Sequence, residues 1–168
     1  MKYMRIPATT ANMGPGFDCI GMAFDLYNYI GFEAVGEAGY CELTSSGESG
    51  SIDLTKENLI YKAYAAVFHY MKQPVAGIRM HFENNIPYSR GLGSSSAALI
   101  GGVKVANAVL GEPLNDRELL KIALQFEGHP DNIAPALLGG VVISGIEENG
   151  EVFYRKIMPP ANLHCTVI

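Results

Sequence analysis

The chain has 168 residues, 48% of them hydrophobic and 17% charged, with a net charge of −5. That is enough apolar material for one sizeable core, and it excludes a disordered chain. Lys and Arg number 12 and form no run, which speaks against broad nucleic-acid binding, and no apolar run approaches the 18 residues of a membrane span.

In chain order, residues 2–10 read as a strand entering a Gly/Pro turn from Asn12 to Asp18. Residues 19–46 alternate loosely, with Gly31, Gly36, Gly39 and Gly47 as breaks, and predict two or three antiparallel strands before a polar loop from Ser45 to Asp53. Asn58 caps a helix running to about Met71, whose buried stripe is Ile60, Ala63, Tyr64, Val67 and Met71. Gly77–Glu83 is a strand that delivers the chain to a glycine-serine loop. The helix Ser94–Leu110 is apolar almost all round and therefore buried, and Gly101 and Gly102 inside it call for close backbone packing. Asn115 and Glu118 form a capping box for a helix that reaches about Glu127 and stops at Gly128. A short helix at 132–138 follows, then strands at Val141–Ile146, Glu151–Ile157 and Asn162–Ile168, the first two joined by a Glu148-Asn149-Gly150 hairpin turn. The final strand ends inside an apolar run, which predicts one domain over 1–158 and, over 159–168, the first strand of a second domain otherwise missing.

The first residues, MKYMRIPATTANM, show no apolar leader. Cys19, Cys41 and Cys165 are odd in number and lack metal-ligand spacing, so they read as reduced, buried thiols of a cytoplasmic protein. His69, His81, His129 and His164 make no ligand pair at helical spacing, which disfavours zinc.

The stretch Pro87-Tyr88-Ser89-Arg90-Gly91-Leu92-Gly93-Ser94-Ser95-Ser96-Ala97 carries the most chemistry. Glycines allow a tight turn and close approach to a ligand, and the N–H groups of the following helix favour an anion. The Gly-Lys-Ser/Thr ending of a Walker loop is missing. A turn with an N-cap would need one hydroxyl, and here there are three serines; the others can meet phosphate oxygens or a magnesium ion. A phosphoryl-bearing ligand is therefore expected near Ser94.

Three further groups stand out. Asn12 and Asp18 flank a Gly-Pro-Gly turn; they are either ordinary turn residues or an amide and a carboxylate placed for the hydroxyl and ammonium of a small substrate. Glu127 lies in line with Leu119 and Ala123, so it either faces solvent at a frayed helix end or has a partner such as Mg²⁺. In Gly128-His129-Pro130-Asp131-Asn132, Asp131 is either a helix N-cap or, with His129, a polar substrate contact.

PATTANMGPGFDCIG and PYSRGLGSSSAAL resemble the first two signature motifs of the GHMP small-molecule kinases, and the Gly-Pro-Gly-Phe-Asp and Gly-His-Pro-Asp-Asn versions are similar to the homoserine kinase branch. The resemblance implies an α+β fold like the second domain of ribosomal protein S5, which fits the element order. It implies ATP on Pro87–Ala97 (Pro87, Tyr88, Ser89, Arg90, Gly91, Leu92, Gly93, Ser94, Ser95, Ser96, Ala97), with Asn58 near the adenine, Mg²⁺ on Ser95 and Glu127, and L-homoserine on Asn12, Asp18, His129 and Asn132. Asn12 and Asp18 would align the reacting hydroxyl, in a reaction that feeds threonine biosynthesis. The family's third glycine-rich motif and the arginines for a substrate carboxylate are missing, so these residues are expected to turn over poorly alone. Another GHMP acceptor, such as mevalonate or a sugar, and a nucleotide-binding fragment without turnover are the alternatives. No nucleic acid or membrane partner is expected, and whether two copies form a homodimer stays open.

Overall fold

A computed structural model describes residues 1–47 and 53–166. Six strands and four helices occur among them, in the order β1 (Lys2–Ala11), β2 (Ile20–Val35), β3 (Cys41–Gly47), α1 (Leu59–Tyr70), β4 (Gly77–Asn84), α2 (Ser94–Val109), α3 (Asp116–Ala123), α4 (Pro130–Leu138), β5 (Val141–Ile146) and β6 (Val152–Ile157). The expected α+β class holds. The part of the expected polar loop at 48–52 lies outside the described residues.

Period-2 burial shows which face of the sheet is covered. In β4, Ile78, Met80 and Phe82 are buried while Arg79, His81 and Glu83 look outward. Helices α1 and α2 pack on each other, α2 and α4 lie against β1 and β2, and α3 closes the layer beside α2 and α4. The core is the seam between: Ile6, Ile30, Phe32, Ile78 and Met80 from the sheet meet Tyr64, Leu99, Ile100, Val103 and Ile133 from the helices. Gly102 allows the α1–α2 contact, because a Cβ there would collide with the Ile60 carbonyl oxygen.

The sheet runs β3-β4-β2-β5-β6, with β1 paired to β2 off that path. β1 occupies one edge of β2 from Gly21 to Phe32. The opposite edge is shared: β4 pairs with Tyr29–Val35 and β5 with Ile20–Met22. The edge of β2 is therefore split between those two partners. Asn28 fills part of the split with its amide oxygen, which accepts the N–H groups of Asn85 and Ile86 at 2.8 and 2.9 Å.

Several expectations need correction. Residues 19–46 do hold two strands, β2 and β3, but Gly31 is no break: it lies inside β2, where the side chains of Met1 and Tyr3 cross it. β3 is parallel to β4, not antiparallel, since the chain returns through α1. Residues 159–166 form no strand; Leu163 N–H donates to the Pro160 carbonyl in a turn there, and 167–168, the end of the expected strand, lie outside the described residues. None of the three free cysteines is buried, and Cys165 is exposed on that same unpaired segment. Among the described residues no helix is long and apolar enough to cross a membrane.

Candidate functional site

The glycine-serine loop begins where β4 leaves the split in β2. Asn85 donates to the Tyr27 carbonyl at 3.1 Å, which turns the chain away from the sheet. Ser89, Gly91 and Gly93 adopt left-handed φ values of 55°, 69° and 65°, and α2 starts directly after. Gly93 is the N-cap, and no side chain caps the helix. The first intrahelical bond is Ala97 N–H to Gly93 carbonyl at 2.8 Å, so the N–H groups of Ser94, Ser95 and Ser96 have no partner within α2. None of the three hydroxyls acts as a cap. The Ser96 hydroxyl instead donates to Glu127 Oε2 at 2.9 Å.

Glu127 arrives there by a different route from the one its spacing suggested. α3 ends at Ala123, and a turn over Leu124–Phe126 precedes Glu127, so the carboxylate is not on the Leu119–Ala123 stripe. His129 must be extended because Pro130 follows it, and its φ of −127° and ψ of 137° show this. The helix therefore stops early to enter α4. His129 itself is the N-cap of α4 with no side-chain bond, Pro130 takes the first helical position, and Asp131 follows it, which corrects Asp131 as N-cap. Asp131 is 5% exposed and accepts the Asn132 N–H at 2.9 Å.

These elements enclose a cleft of about 930 Å³. Its wall includes Asn58, Pro87, Tyr88, Ser89, Arg90, Gly91, Leu92, Gly93, Ser94, Ser95, Ser96, Glu127, His129 and Asn132, so most of the residues expected for nucleotide, metal and acceptor meet at one place. Ala97 does not: it is 2% exposed in the core, and its N–H is already bonded. Asn58 lines the cleft with its side chain in use, its oxygen capping Ile60 N–H at 2.9 Å and its amide donating to the Asp53 carbonyl. Asn12 and Asp18 stand beside the cleft and not in its wall. Both are left-handed, and Asn12 Oδ1 accepts the Asp18 N–H at 2.8 Å, closing the Gly-Pro-Gly turn. Asp18 Oδ2 lies 3.7 Å from His129 Nδ1, which links the turn to the cleft.

Sequence reasoning missed Asp53, Glu57, Leu59 and Ala98 in the wall. Asp53 and Glu57 lie just before the Asn58 cap, but with Leu54, Thr55 and Lys56 between them they form no acidic run that would mark the site. Thr9 was also missed: its hydroxyl donates to Asn132 Oδ1 at 2.9 Å. A threonine inside a strand gives no local signal of such a contact.

The charge in the wall is uneven. Asp53, Glu57, Glu127 and Asp131 are carboxylates, and among the described residues Arg90 is the one arginine or lysine that lines it. An oligophosphate entering such a wall needs a cation with it. Among the described residues no cluster of three or more His, Cys, Asp or Glu could hold a metal unaided. One carboxylate with neighbouring hydroxyls does fit Mg²⁺, which keeps waters and takes its remaining ligands from phosphates. Burial raises the Tyr88 phenol above its ordinary pKa, so it stays neutral beside the loop.

Residues 58–140 match the family model described as GHMP kinases N terminal domain. That segment belongs to the GHMP kinase N-terminal domain family. The chain is 44% identical over 161 residues to a homoserine kinase of Moorella thermoacetica, across 95% of this chain and 53% of the relative. A crystal structure of homoserine kinase from Cytophaga hutchinsonii has a TM-score of 0.81 at 27% identity, covering 96% of this chain and 54% of that one. The mevalonate kinase of Methanococcus jannaschii shares the fold, with a TM-score of 0.69 at 21% identity over 94% of this chain and 56% of that one. The chain spans about half the length of the curated relatives it matches. The GHMP match begins at the Asn58 cap and ends at Gly140, so it includes the glycine-serine loop, Glu127 and Asn132, while Asn12 and Asp18 precede it.

Proposed function

We propose that this chain is the ATP-binding domain of a homoserine kinase, which moves the γ-phosphoryl group of ATP to the side-chain hydroxyl of L-homoserine and yields O-phospho-L-homoserine for threonine biosynthesis in the cytoplasm. The observation that carries the reading is the uncapped start of α2 facing Glu127 through Ser96, in the same cleft as Asn132. The similarity to homoserine kinases supports the choice of acceptor.

In this reading, the N–H groups of Ser94, Ser95 and Ser96 bind phosphate oxygens at the positive end of α2. Ser95 and Glu127 hold Mg²⁺, and Ser96 orients the Glu127 carboxylate. Bound Mg²⁺ supplies charge neutralisation of the phosphates. Phosphoryl transfer through a loose transition state depends mainly on positioning and electrostatics. Asn132 and His129 face the acceptor from α4, and Asp18 takes its ammonium. Asn12 has its amide oxygen bound in the turn, so its NH₂ is the group that meets the hydroxyl. No dedicated base is assigned; alignment of the hydroxyl dominates.

Arg90 belongs to the phosphate side of the cleft, so a cation for the amino-acid carboxylate has to come from elsewhere. We therefore place 1–158 as the nucleotide-binding domain and expect nucleotide binding without efficient turnover from these residues alone. Calorimetry with Mg-ATP, followed by ADP release scored against L-homoserine, mevalonate and galactose, tests both halves of the reading. Binding with a homoserine preference supports it. No Mg-ATP binding, or a preference for mevalonate or galactose, would sink it.

A further inference from the structure

Thr9 lies on β1, outside the segment 58–140 that the family model matches, and it is fully buried. Three contacts meet on it. Its N–H donates to the Leu92 carbonyl at 3.1 Å, inside the glycine-serine loop. Its hydroxyl donates to Asn132 Oδ1 at 2.9 Å, on α4. Its side chain packs so closely under Gly93 that a Cβ on Gly93 would collide with the Thr9 hydroxyl oxygen. One residue thus touches both the loop that ends at the α2 N-terminus and the amide that α4 contributes to the cleft wall.

A carboxamide has one accepting end and one donating end, and its orientation is set by its partners. With its oxygen held by Thr9, Asn132 offers its NH₂ to a ligand. We propose that Thr9 is a positioning residue: it fixes the Asn132 amide as a donor toward an electron-rich oxygen in the cleft, and it sets the distance between that donor and the glycine-serine loop. This rests on the donor–acceptor reading of the cleft given above. The role needs a hydroxyl and a side chain no larger than threonine. Valine keeps the shape and removes the donor, leaving Asn132 Oδ1 without its bond, whereas serine keeps the donor.

The test uses the same chain without and with nucleotide. In ligand-free protein, the side-chain NH₂ signals of Asn132 in a ¹H–¹⁵N spectrum, assigned through Asn132→Ala, should shift or broaden in Thr9→Val and return in Thr9→Ser. Affinity for L-homoserine in the presence of Mg-ADP, measured by calorimetry well below the unfolding temperature, should fall about tenfold in Thr9→Val, the size expected when a buried acceptor loses its bond. That loss should shrink to less than threefold in the Asn132→Ala background, because the effect runs through the amide. Unchanged Asn132 signals in Thr9→Val would overturn the inference, as would an equal affinity loss with and without Asn132. A loss of thermal stability in Thr9→Val with the signals and affinity intact would overturn it too, by leaving a structural role only. If the unaltered chain binds no Mg-ATP or no L-homoserine, the reading of the cleft fails, and the ligand-free spectra still decide whether Thr9 controls Asn132.

Discussion

Glu127 and Ser96 meet across 31 positions of sequence, and their bond makes two predictions. Glu127→Gln keeps the size of the side chain and removes its charge, so Mg²⁺ should no longer improve ATP binding; calorimetry with and without the metal reads this directly. Ser96→Ala leaves the charge but frees its orientation, and should lower the metal-dependent affinity by about tenfold, the lower range for losing a group that orients a ligand. If Glu127→Gln retained the full gain from Mg²⁺, the carboxylate would have to be removed from the metal site. The residues differ in how openly the sequence announced them. Asn58 was legible because capping is a local rule, and its oxygen does take the Ile60 N–H. Glu127 was found by a helical spacing that does not exist, since α3 ends four residues earlier. Its place beside Ser96 depends on how α4 turns back, and Thr9 depends on tertiary contact entirely.

At the scale of elements, local signals worked for helices and failed for long strands. The Asn115–Glu118 capping box is formed as expected, and Asn115→Ala should destabilise the fold by about 1 kcal/mol in denaturant titration. Gly102→Ala should cost about 1–3 kcal/mol by forcing α1 and α2 apart, with a fall in Tm of at least several degrees. An unchanged Tm would mean the helices adjust freely. Strand boundaries were less legible because Gly31 looks like a break in isolation; only the crossing of Met1 and Tyr3 over β2 explains it. The parallel pairing of β3 with β4 was invisible for a similar reason, as it depends on where α1 lands. That pairing has a titratable contact: hydrogen bonds from Tyr40 and then Arg79 hold the Glu42 carboxyl below the usual range. A lowered folded-state pKa gives stability that is present above the unfolded pKa and lost as pH falls through the folded one. The stability deficit of Glu42→Gln should therefore be small at neutral pH, since the pair is exposed, and should vanish on acidification below the carboxylate range. Chemical denaturation at stepped pH checks the sign.

For the whole molecule, the acceptor side is wet. The Asp18 and His129 side chains are 38% and 64% exposed, and Phe17 at the tip of the same turn is 72% exposed. Phosphoryl transfer is helped by excluding water, which otherwise weakens every electrostatic contact in the site. The chain alone should therefore bind Mg-ATP yet phosphorylate homoserine far more slowly than the Moorella thermoacetica relative assayed beside it. Equal turnover numbers would show that these residues suffice.

The divided edge of β2 has a consequence for how such a chain can change. The loop that carries Asn12 and Asp18 opens into its first residues, and the strand that feeds the glycine-serine loop pairs with its last ones. β2 is thus a ruler between the Asn12–Asp18 turn and the glycine-serine loop. Insertion of one residue between Ala23 and Asn28 would lengthen it by about 3.3 Å, as much as the whole gap between reacting atoms in a near-attack geometry. Surface turns of this chain can drift in length without touching that spacing. In this short stretch, which already carries a register shift opposite Pro7 and Thr9, an added residue either enlarges that irregularity or moves the two loops apart, although no residue in it lines the cleft.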